Sequence, residues 1–420
     1  MRTGSWSMSV GALATIASLA SAVGPAAAGP DWPQFHGPRR DNKSTETGLL
    51  KRWPEGGPQL LWTAEGIGEG FSTVAVAGQR VYVTGNLRNG TVITALSLDG
   101  TAKWRVRNGP ACRHEQPGAR GTPTIDGGRL YHENADGDVA CLDAETGKRH
   151  WTRNILREFR GRNIQWGLSE SLLIDGNHVI CTPGGEDAGI VALDKATGKT
   201  AWVCRETKDK PGYCSPIVFE HGGVRQIATL MARSAVGVDA RTGKLLWSFR
   251  HVTPFDENIG TCIFHDGRLF FSTRTTGSVL LKVKVEGGRV GVDEVWRCGE
   301  LDNQHGGVVL LDGHLYGDCL RARGGAWACL QLATGRRTLA TALVGRGSLT
   351  YADGLFYVMN HRRTVALVRP SPESLEIVSR FELPKVGRGP SWAHPVVCGG
   401  RLYLRYSDRL YCHDIRRTRK

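Results

Sequence analysis

The sequence predicts an all-β fold, an eight-bladed β-propeller of four-stranded antiparallel blades, closed by an N-terminal strand that completes the last blade. Three observations carry the prediction. First, a glycine in a short polar turn between two apolar runs recurs at Gly78, Gly127, Gly176, Gly222, Gly267, Gly313, Gly354 and Gly399, at intervals of 41 to 49 residues. A period in the 40s built from strand–turn–strand units marks a propeller array, one small sheet per repeat. Second, the unit GTPTIDGGRLYHENADGDVACLDAETGKRHW (121–151) divides into four short strands at Asp126-Gly127, Asp136-Gly137 and Thr146-Gly147. Such pairs supply the positive φ of tight hairpin turns, and the runs between them alternate with period two. Third, the last unit has only three strand patterns, PVVCGG, RLYLRYS and RLYCHDI, whereas Gln59–Thr63 stands unpartnered before the first unit. Pairing that segment with the last unit closes the ring and removes its open edges. Seven blades is the alternative if one diverged unit fails to form.

The ends set the domain boundaries. Residues 1–28 read as a secretory signal peptide: Arg2, an apolar small-residue run from Met8 to Val23, and small-x-small sites at Ala20-Ser21-Ala22 and Ala26-Ala27-Ala28. The apolar run falls short of the ~20 residues a membrane span needs. The first cysteine is Cys112, far from either site, so no lipid anchor is expected. The mature chain is therefore expected to be exported, periplasmic, without a transmembrane segment, and monomeric. Residues 29–58, rich in Pro, Gly and charge, read as an irregular strap along the ring, 59–415 as the propeller and 416–420 as a basic tail.

The net charge of +14 is scattered over the units, and its one dense run is Arg416, Arg417, Arg419 and Lys420. This reads as a solvated basic surface, with no nucleic-acid partner expected. Eleven cysteines is an odd number, without a C-x-x-C or a haem-attachment motif, and most sit in strand patterns as small core residues. If the hairpin HLYGDCLRARGGAWACLQL folds about Gly324, Cys319 and Cys329 face one another and form a cross-strand disulfide; otherwise they are ordinary core thiols. Metalloprotease, nucleophile-elbow, Walker and dinucleotide motifs are all missing.

A tighter motif ends several units: ACLDAETGKRHW (140–151), VALDKATGKTAW (191–202), VGVDARTGKLLW (236–247) and a degenerate ALSLDGTAKW. It places Trp104, Trp151, Trp202 and Trp247 on outermost strands, with Trp62 in the closing strand and Trp296 in a diverged unit. One such indole per blade buries a large flat area and packs the seam between neighbours. The pattern A-x-D-x-x-T-G-K-x-x-W resembles the repeat of the pyrroloquinoline-quinone (PQQ)-like β-propeller family. DWPQFHGPRR (31–40), WGLSESLLIDG (166–176) and TPGGEDAG (182–189) resemble its exported BamB-like branch. The resemblance covers about residues 31–415, although the motif is lost in the last three units.

That resemblance implies two functions of different classes. One is a non-catalytic scaffold that binds proteins or ligands in cell-envelope and outer-membrane assembly. The other is a quinoprotein-type oxidoreductase holding PQQ with calcium in its axial funnel. The enzymes of the family use a vicinal cysteine pair, a calcium held by Glu and Asn, and a catalytic Asp. This chain has no Cys-Cys dipeptide. The expectation is therefore a scaffold without cofactor, its partner an envelope protein or a small polar ligand, with the PQQ oxidoreductase as alternative.

Residues just ahead of each innermost strand converge on the axis. They are Glu69, Phe71 and Ser72; Arg120 and Thr122; Trp166, Ser169 and Glu170; Tyr213 and Ser215; Asn258 and Thr261; Gln304 and His305; Ser348 and Thr350; Trp392 and His394. The mixture suits either a polar ligand pocket or solvated loop ends. Arg120, Trp166, Glu170, Tyr213, His305, Trp392 and His394 are the candidates for ligand or partner contact. His305 and His394, read as entering adjacent blades, either bind a metal or move a proton, or simply cap loops by bonding backbone carbonyls. Glu170 and Arg120 either serve a ligand or form a buried ion pair. Gly184–Asp187 offers hard oxygens for calcium or is merely a turn.

Overall fold

The computed structural model describes residues 31–321, 327–387 and 389–417, together with Met1 and Gly4. The expected signal peptide, the hairpin tip at Gly324 and the end of the basic tail lie outside the described residues. The strands form eight four-stranded antiparallel sheets. Blades 1 to 7 occupy residues 75–110, 124–154, 173–204, 217–250, 263–298, 308–341 and 347–382. Blade 8 takes three strands from 396–414, and its outermost strand is Leu60–Ala64, paired antiparallel with Arg409–Asp414 through Trp62 opposite Cys412. The ring closes as the unpartnered segment predicts.

The seam tryptophans work through a repeated docking contact. In every blade that carries one, a bulge in the outer pair follows the residue opposite the indole, and that residue is often small: Ala95, Cys141, Ala192 or Gly237. The indole then reaches the next blade. Trp62 donates to the Leu98 carbonyl at 2.7 Å, Trp104 to Ala144 at 3.2 Å, Trp151 to Lys195 at 3.1 Å, Trp202 to Ala240 at 3.2 Å and Trp296 to Leu332 at 2.9 Å. Its face covers the turn glycine of that blade: Gly100, Gly147, Gly198, Gly243 and Gly335 respectively. The glycine turn of one repeat, Thr-Gly at four of these sites and Asp99-Gly100 at the fifth, is thus the receptor for the Trp of the repeat before it.

Trp247 departs from this rule. Blade 5 replaces the short turn with a long hairpin, Gly277–Glu286 and Arg289–Cys298. Trp247 therefore folds onto Gly237 of its own blade and donates to Gln226 Oε1 at 2.9 Å, while remaining in the core shared with blade 5. Blade 7 lacks its tryptophan altogether, Ser379 standing at that register. Trp53 fills the space from the strap: its backbone N–H donates to Ser379 Oγ at 2.9 Å and its ring lies 6.0 Å from Tyr357, as Trp104 lies from Tyr82.

The strap does not merely run along the ring. Residues 32–43 enter the axis and plug it. Trp32 bridges to Val76, the Pro33 carbonyl accepts the Ile125 N–H at 2.7 Å, and Asn42 bonds Thr350 at 3.1 Å. Buried Arg40 donates to the carbonyls of Ser171 (3.0 Å), Pro216 (2.9 Å) and Leu172. The innermost strands are as short as three residues, so such carbonyls lack sheet partners and the guanidinium satisfies several at once. A second ring of bonds links blades directly: Thr73 N–H to Thr122 Oγ1 (3.1 Å), Thr122 N–H to Ser171 Oγ (3.0 Å) and Ser171 N–H to Ser215 Oγ (2.9 Å).

The paired strands do not set Cys319 and Cys329 opposite one another. The register sets Cys329 opposite Tyr316 and ends at Asp318 opposite Trp327, so Cys319 lies beyond the paired strands and both thiols are free.

The docking contact yields a stability prediction. Gly147 takes φ +74 and a Cβ there would meet Trp104 at 2.8 Å, whereas Gly127 takes φ +53 and faces open space. Gly147→Ala should cost about 2–4 kcal/mol and Gly127→Ala about 1 kcal/mol, because only the first adds a seam clash to the backbone strain. Urea unfolding followed by tryptophan fluorescence measures both; equal losses would show that the seam contact contributes nothing.

Candidate functional site

The plug turns the axial channel into a blind pocket of about 390 Å³. Its floor is Phe35, His36 and His394, and its walls come from loops entering the innermost strands. Of the seven candidates from sequence, Arg120, Trp166, Tyr213, His305, Trp392 and His394 line it. Phe71, Ser169, Ser215, Thr261 and Gln304, which share the same register, line it too.

Glu170 does not line the pocket. It is buried in the wall beneath, where its Oε1 accepts the Thr182 N–H at 2.7 Å. It makes no pair with Arg120, which donates to the carbonyls of Trp166 (2.8 Å) and Gln116 (2.6 Å) and lies 5.6 Å over the Phe71 ring. The carboxyl of Glu170 instead meets that of Glu133, also buried, near Arg40 of the plug. Burial and the second carboxyl push Glu133 well above the ordinary carboxylate range. Glu69, Ser72, Thr122, Asn258, Ser348 and Thr350 are likewise absent from the lining, spent on inter-blade and loop bonds or turned from the axis.

The two histidines enter blades 6 and 8, not neighbouring blades. They meet nonetheless, because the ring is narrow at its axis and blade 7 enters there on Gly347. His394 Nε2 donates to the His305 carbonyl at 2.7 Å and its Nδ1 accepts from Asn42 at 3.2 Å, which fixes the tautomer. His394 thus bonds a backbone carbonyl, the structural of its two readings. His305 stacks on Trp392 with centroids 4.2 Å apart and planes 16° apart. Its Nδ1, Trp392 Nε1 and His36 Nε2 are buried at the pocket without a hydrogen-bond partner in the protein.

Several lining residues escaped the sequence reading. Phe35 and His36 come from the plug, and Glu115, Glu257, Arg274 and Arg346 from loops or second strands outside the register that was read. They form a network: Arg274 donates to Glu257 Oε2 (2.7 Å), Gln304 to Glu257 Oε1 (2.8 Å), and Arg346 to Gln304 Oε1 (3.2 Å) and Asp318 Oδ2 (3.1 Å). Three arginines and two carboxylates thus line the pocket, with Arg274 paired to Glu257 and Arg346 to Asp318 behind the wall. Glu186 and Asp187 of the turn expected to offer calcium oxygens instead pair with Arg162 and Arg160 at the surface.

The family model described as outer membrane protein assembly factor BamB matches residues 45–165 and 88–341. This chain belongs to that family. Among solved structures, the BamB-family chain is similar to BamB from Moraxella catarrhalis (TM-score 0.57, 15% identity, covering 86% of this chain and 98% of that one). It is also similar to a europium-containing methanol dehydrogenase (TM-score 0.65, 13% identity, covering 89% of each chain). At these identities the likeness is one of fold. Quinoprotein alcohol dehydrogenase PedH of Pseudomonas putida is 25% identical over 195 residues, 44% of this chain and 30% of the enzyme. The chain thus matches about a third of that relative's length.

The lining residues do not fit calcium beside a quinone. Glu257 has both oxygens engaged by Arg274 and Gln304, and Glu115 accepts from Trp166 Nε1 at 3.1 Å. No group of three His, Cys, Asp or Glu among the described residues has metal-binding geometry.

Burial lowers the pocket histidines, His394 to about 4 and His305 and His36 well below their ordinary value, and also lowers His361, which lies behind His305, to about 4. A base with a depressed folded pKa stabilises the fold fully above its unfolded value near 6.5, and that contribution is lost as pH falls through the folded value. Burial raises Asp318 to about 7 and holds Glu133 and Glu170 above their ordinary range, which opposes the trend by relieving a cost as pH falls from 7 towards 4. The four histidines outnumber these three carboxyls, so the unfolding free energy should fall between pH 7 and pH 4.5. His394→Gln should flatten that slope, whatever it does to stability at pH 7; an unchanged slope in urea titrations at several pH values would show that His394 is not buried as neutral imidazole.

Proposed function

We propose that this protein is a non-catalytic binding propeller of the cell envelope, and that its axial pocket captures a small, flat, negatively charged molecule. The observation that supports this most directly is the lining. Arg120 provides charge, the ion-paired Arg274 and Arg346 provide further guanidinium donors, Trp166, Tyr213 and the Trp392–His305 stack provide flat faces, and Trp392 Nε1 and His305 Nδ1 lack partners. A buried donor without an acceptor costs about 1–3 kcal/mol, which an oxygen-rich ligand would recover. Both lining carboxylates are already engaged, leaving no evident general base.

A second reading, a protein-binding scaffold, is favoured by the mouth. Phe255 is 68% exposed and held at φ +61, its ring 6.4 Å from Trp166, and Leu320 adds a further exposed apolar residue. An exposed aromatic at the rim of an arginine-lined pocket is how protein interfaces anchor a partner side chain. The periplasmic setting expected from the N-terminus and the BamB relatives agree with both readings.

Tryptophan-fluorescence titration with benzene-1,3,5-tricarboxylate, its saturated cyclohexane analogue, and PQQ with and without calcium separates these readings. The flat polyanions should quench at micromolar concentrations, the saturated analogue should bind more weakly, and Arg120→Ala with Arg346→Ala should weaken binding at least about tenfold. Calcium-dependent dye reduction with alcohols in the presence of PQQ would establish the oxidoreductase reading instead. If no polyanion binds at millimolar concentration, capture of an envelope protein lost on Phe255→Ser would leave the protein scaffold.

A further inference from the structure

We infer that Cys214 and Cys262 form a disulfide that staples blade 4 to blade 5 beneath the pocket wall. Cys214 lies three residues before the innermost strand of blade 4, Ile217–His221, and Cys262 one residue before that of blade 5, Ile263–His265. They belong to one packed core shared by the two blades, with Cys214 1% and Cys262 2% exposed. Both carry free thiols, and each thiol interacts with the side chain of the other. Cys214 also approaches the Ser215 carbonyl at 3.4 Å. This is the contact that the expected Cys319–Cys329 pair lacks, since the register there sets Tyr316 across from Cys329.

The chemistry of the pair is asymmetric. Burial opposes ionisation of Cys214, but the Cys262 thiol and the backbone N–H groups of Leu230 and Cys262 outweigh it, holding this thiol below its ordinary range. Cys262 is held well up by its bond to Cys214 and by burial. This difference belongs to the closed ring; in the open chain either thiol serves as attacker and the other as resolver. The step is a thiol–disulfide exchange with a low-molecular-weight disulfide such as oxidised glutathione. With Cys214 as attacker, its thiolate attacks that disulfide and releases one glutathione thiolate. Cys262 then displaces the second, forming the Cys214–Cys262 bond. In sum, two protein thiols lose two electrons and two protons, and one glutathione disulfide becomes two glutathione thiols.

Because both sulfurs are buried, exchange takes place while the blades are open during folding, and the finished bond is shielded from reductant in the native ring. The bond also has a place in the site. Tyr213 and Ser215 flank Cys214, Thr261 precedes Cys262, and all three line the pocket. The inference rests on the fold and not on the proposed ligand, so it stands or falls without one.

The test is to unfold and reduce the full chain, refold it in a glutathione redox buffer, block thiols with N-ethylmaleimide in denaturant, and map peptides without reduction. The expected result is a linked peptide pair containing Cys214 and Cys262, and a melting temperature several degrees above that of the protein refolded under full reduction. Dithiothreitol should leave the pair intact in the native protein and cleave it in guanidinium. Recovery of Cys214 and Cys262 both as N-ethylmaleimide adducts from correctly refolded protein would overturn the inference, as would either cysteine linked instead to a different one.

Discussion

Everything in this molecule depends on closing a ring of sheets, and the strand Leu60–Ala64 against Arg409–Asp414 is the closure. An open propeller would present sheet edges and two unpacked seams. Three devices hold the join between blades 8 and 1. The backbone ladder pairs the termini of the fold, Trp62 docks on the Gly100 turn of blade 1, and buried Arg405 of blade 8 donates to the carbonyls of Ser72 (3.0 Å), Thr84 (2.6 Å) and Gly68 (2.8 Å) around blade 1. Burial lowers Arg405 to about 9, and it stays charged at neutral pH among carbonyl dipoles. Segments far apart in sequence thereby become neighbours, and the remaining blades are held in a closed circuit.

Closure has a consequence at the axis. Eight short innermost strands leave carbonyls and hydroxyls pointing inwards, and these need partners. Thr and Ser hydroxyls satisfy some across blades; the strap satisfies others with Arg40 and Asn42. Once the strap fills one end, the other becomes a blind, arginine-lined pocket. The site is therefore a by-product of satisfying the ring's own polar groups, and its lining is set by loops that the repeat does not constrain.

The repeat itself was legible because it is local. Gly78, Gly127 and their equivalents, the Asp-Gly turns and the D-x-x-T-G-K-x-x-W motif act over a dozen residues, so blade number, strand order, the missing strand and five of the six seam contacts follow from reading along the chain. Six of seven candidate site residues were legible because loops just ahead of the innermost strands approach the axis. Yet Glu69, Ser72, Thr122, Asn258, Ser348 and Thr350 lie in or beside those same loops without lining the pocket. Glu170 is the exception among the seven: its side chain turns from the axis into the wall, towards Glu133. Trp247 kept its seam but changed partner, because the length of the blade 5 hairpin removed the turn it would have met.

The sequence by itself determined the fold class, the closure and the seam, each written in short periodic patterns of turn geometry and apolar alternation. The tertiary structure alone decided that residues 32–43 plug the axis, that Trp53 replaces the tryptophan blade 7 lacks, that Arg274 and Arg346 reach the pocket, and that Cys214, not Cys319, meets another thiol. These contacts join residues tens to hundreds of positions apart with no repeating pattern between them. No local rule encodes such pairs; they exist only once the ring brings the ends of its blades together.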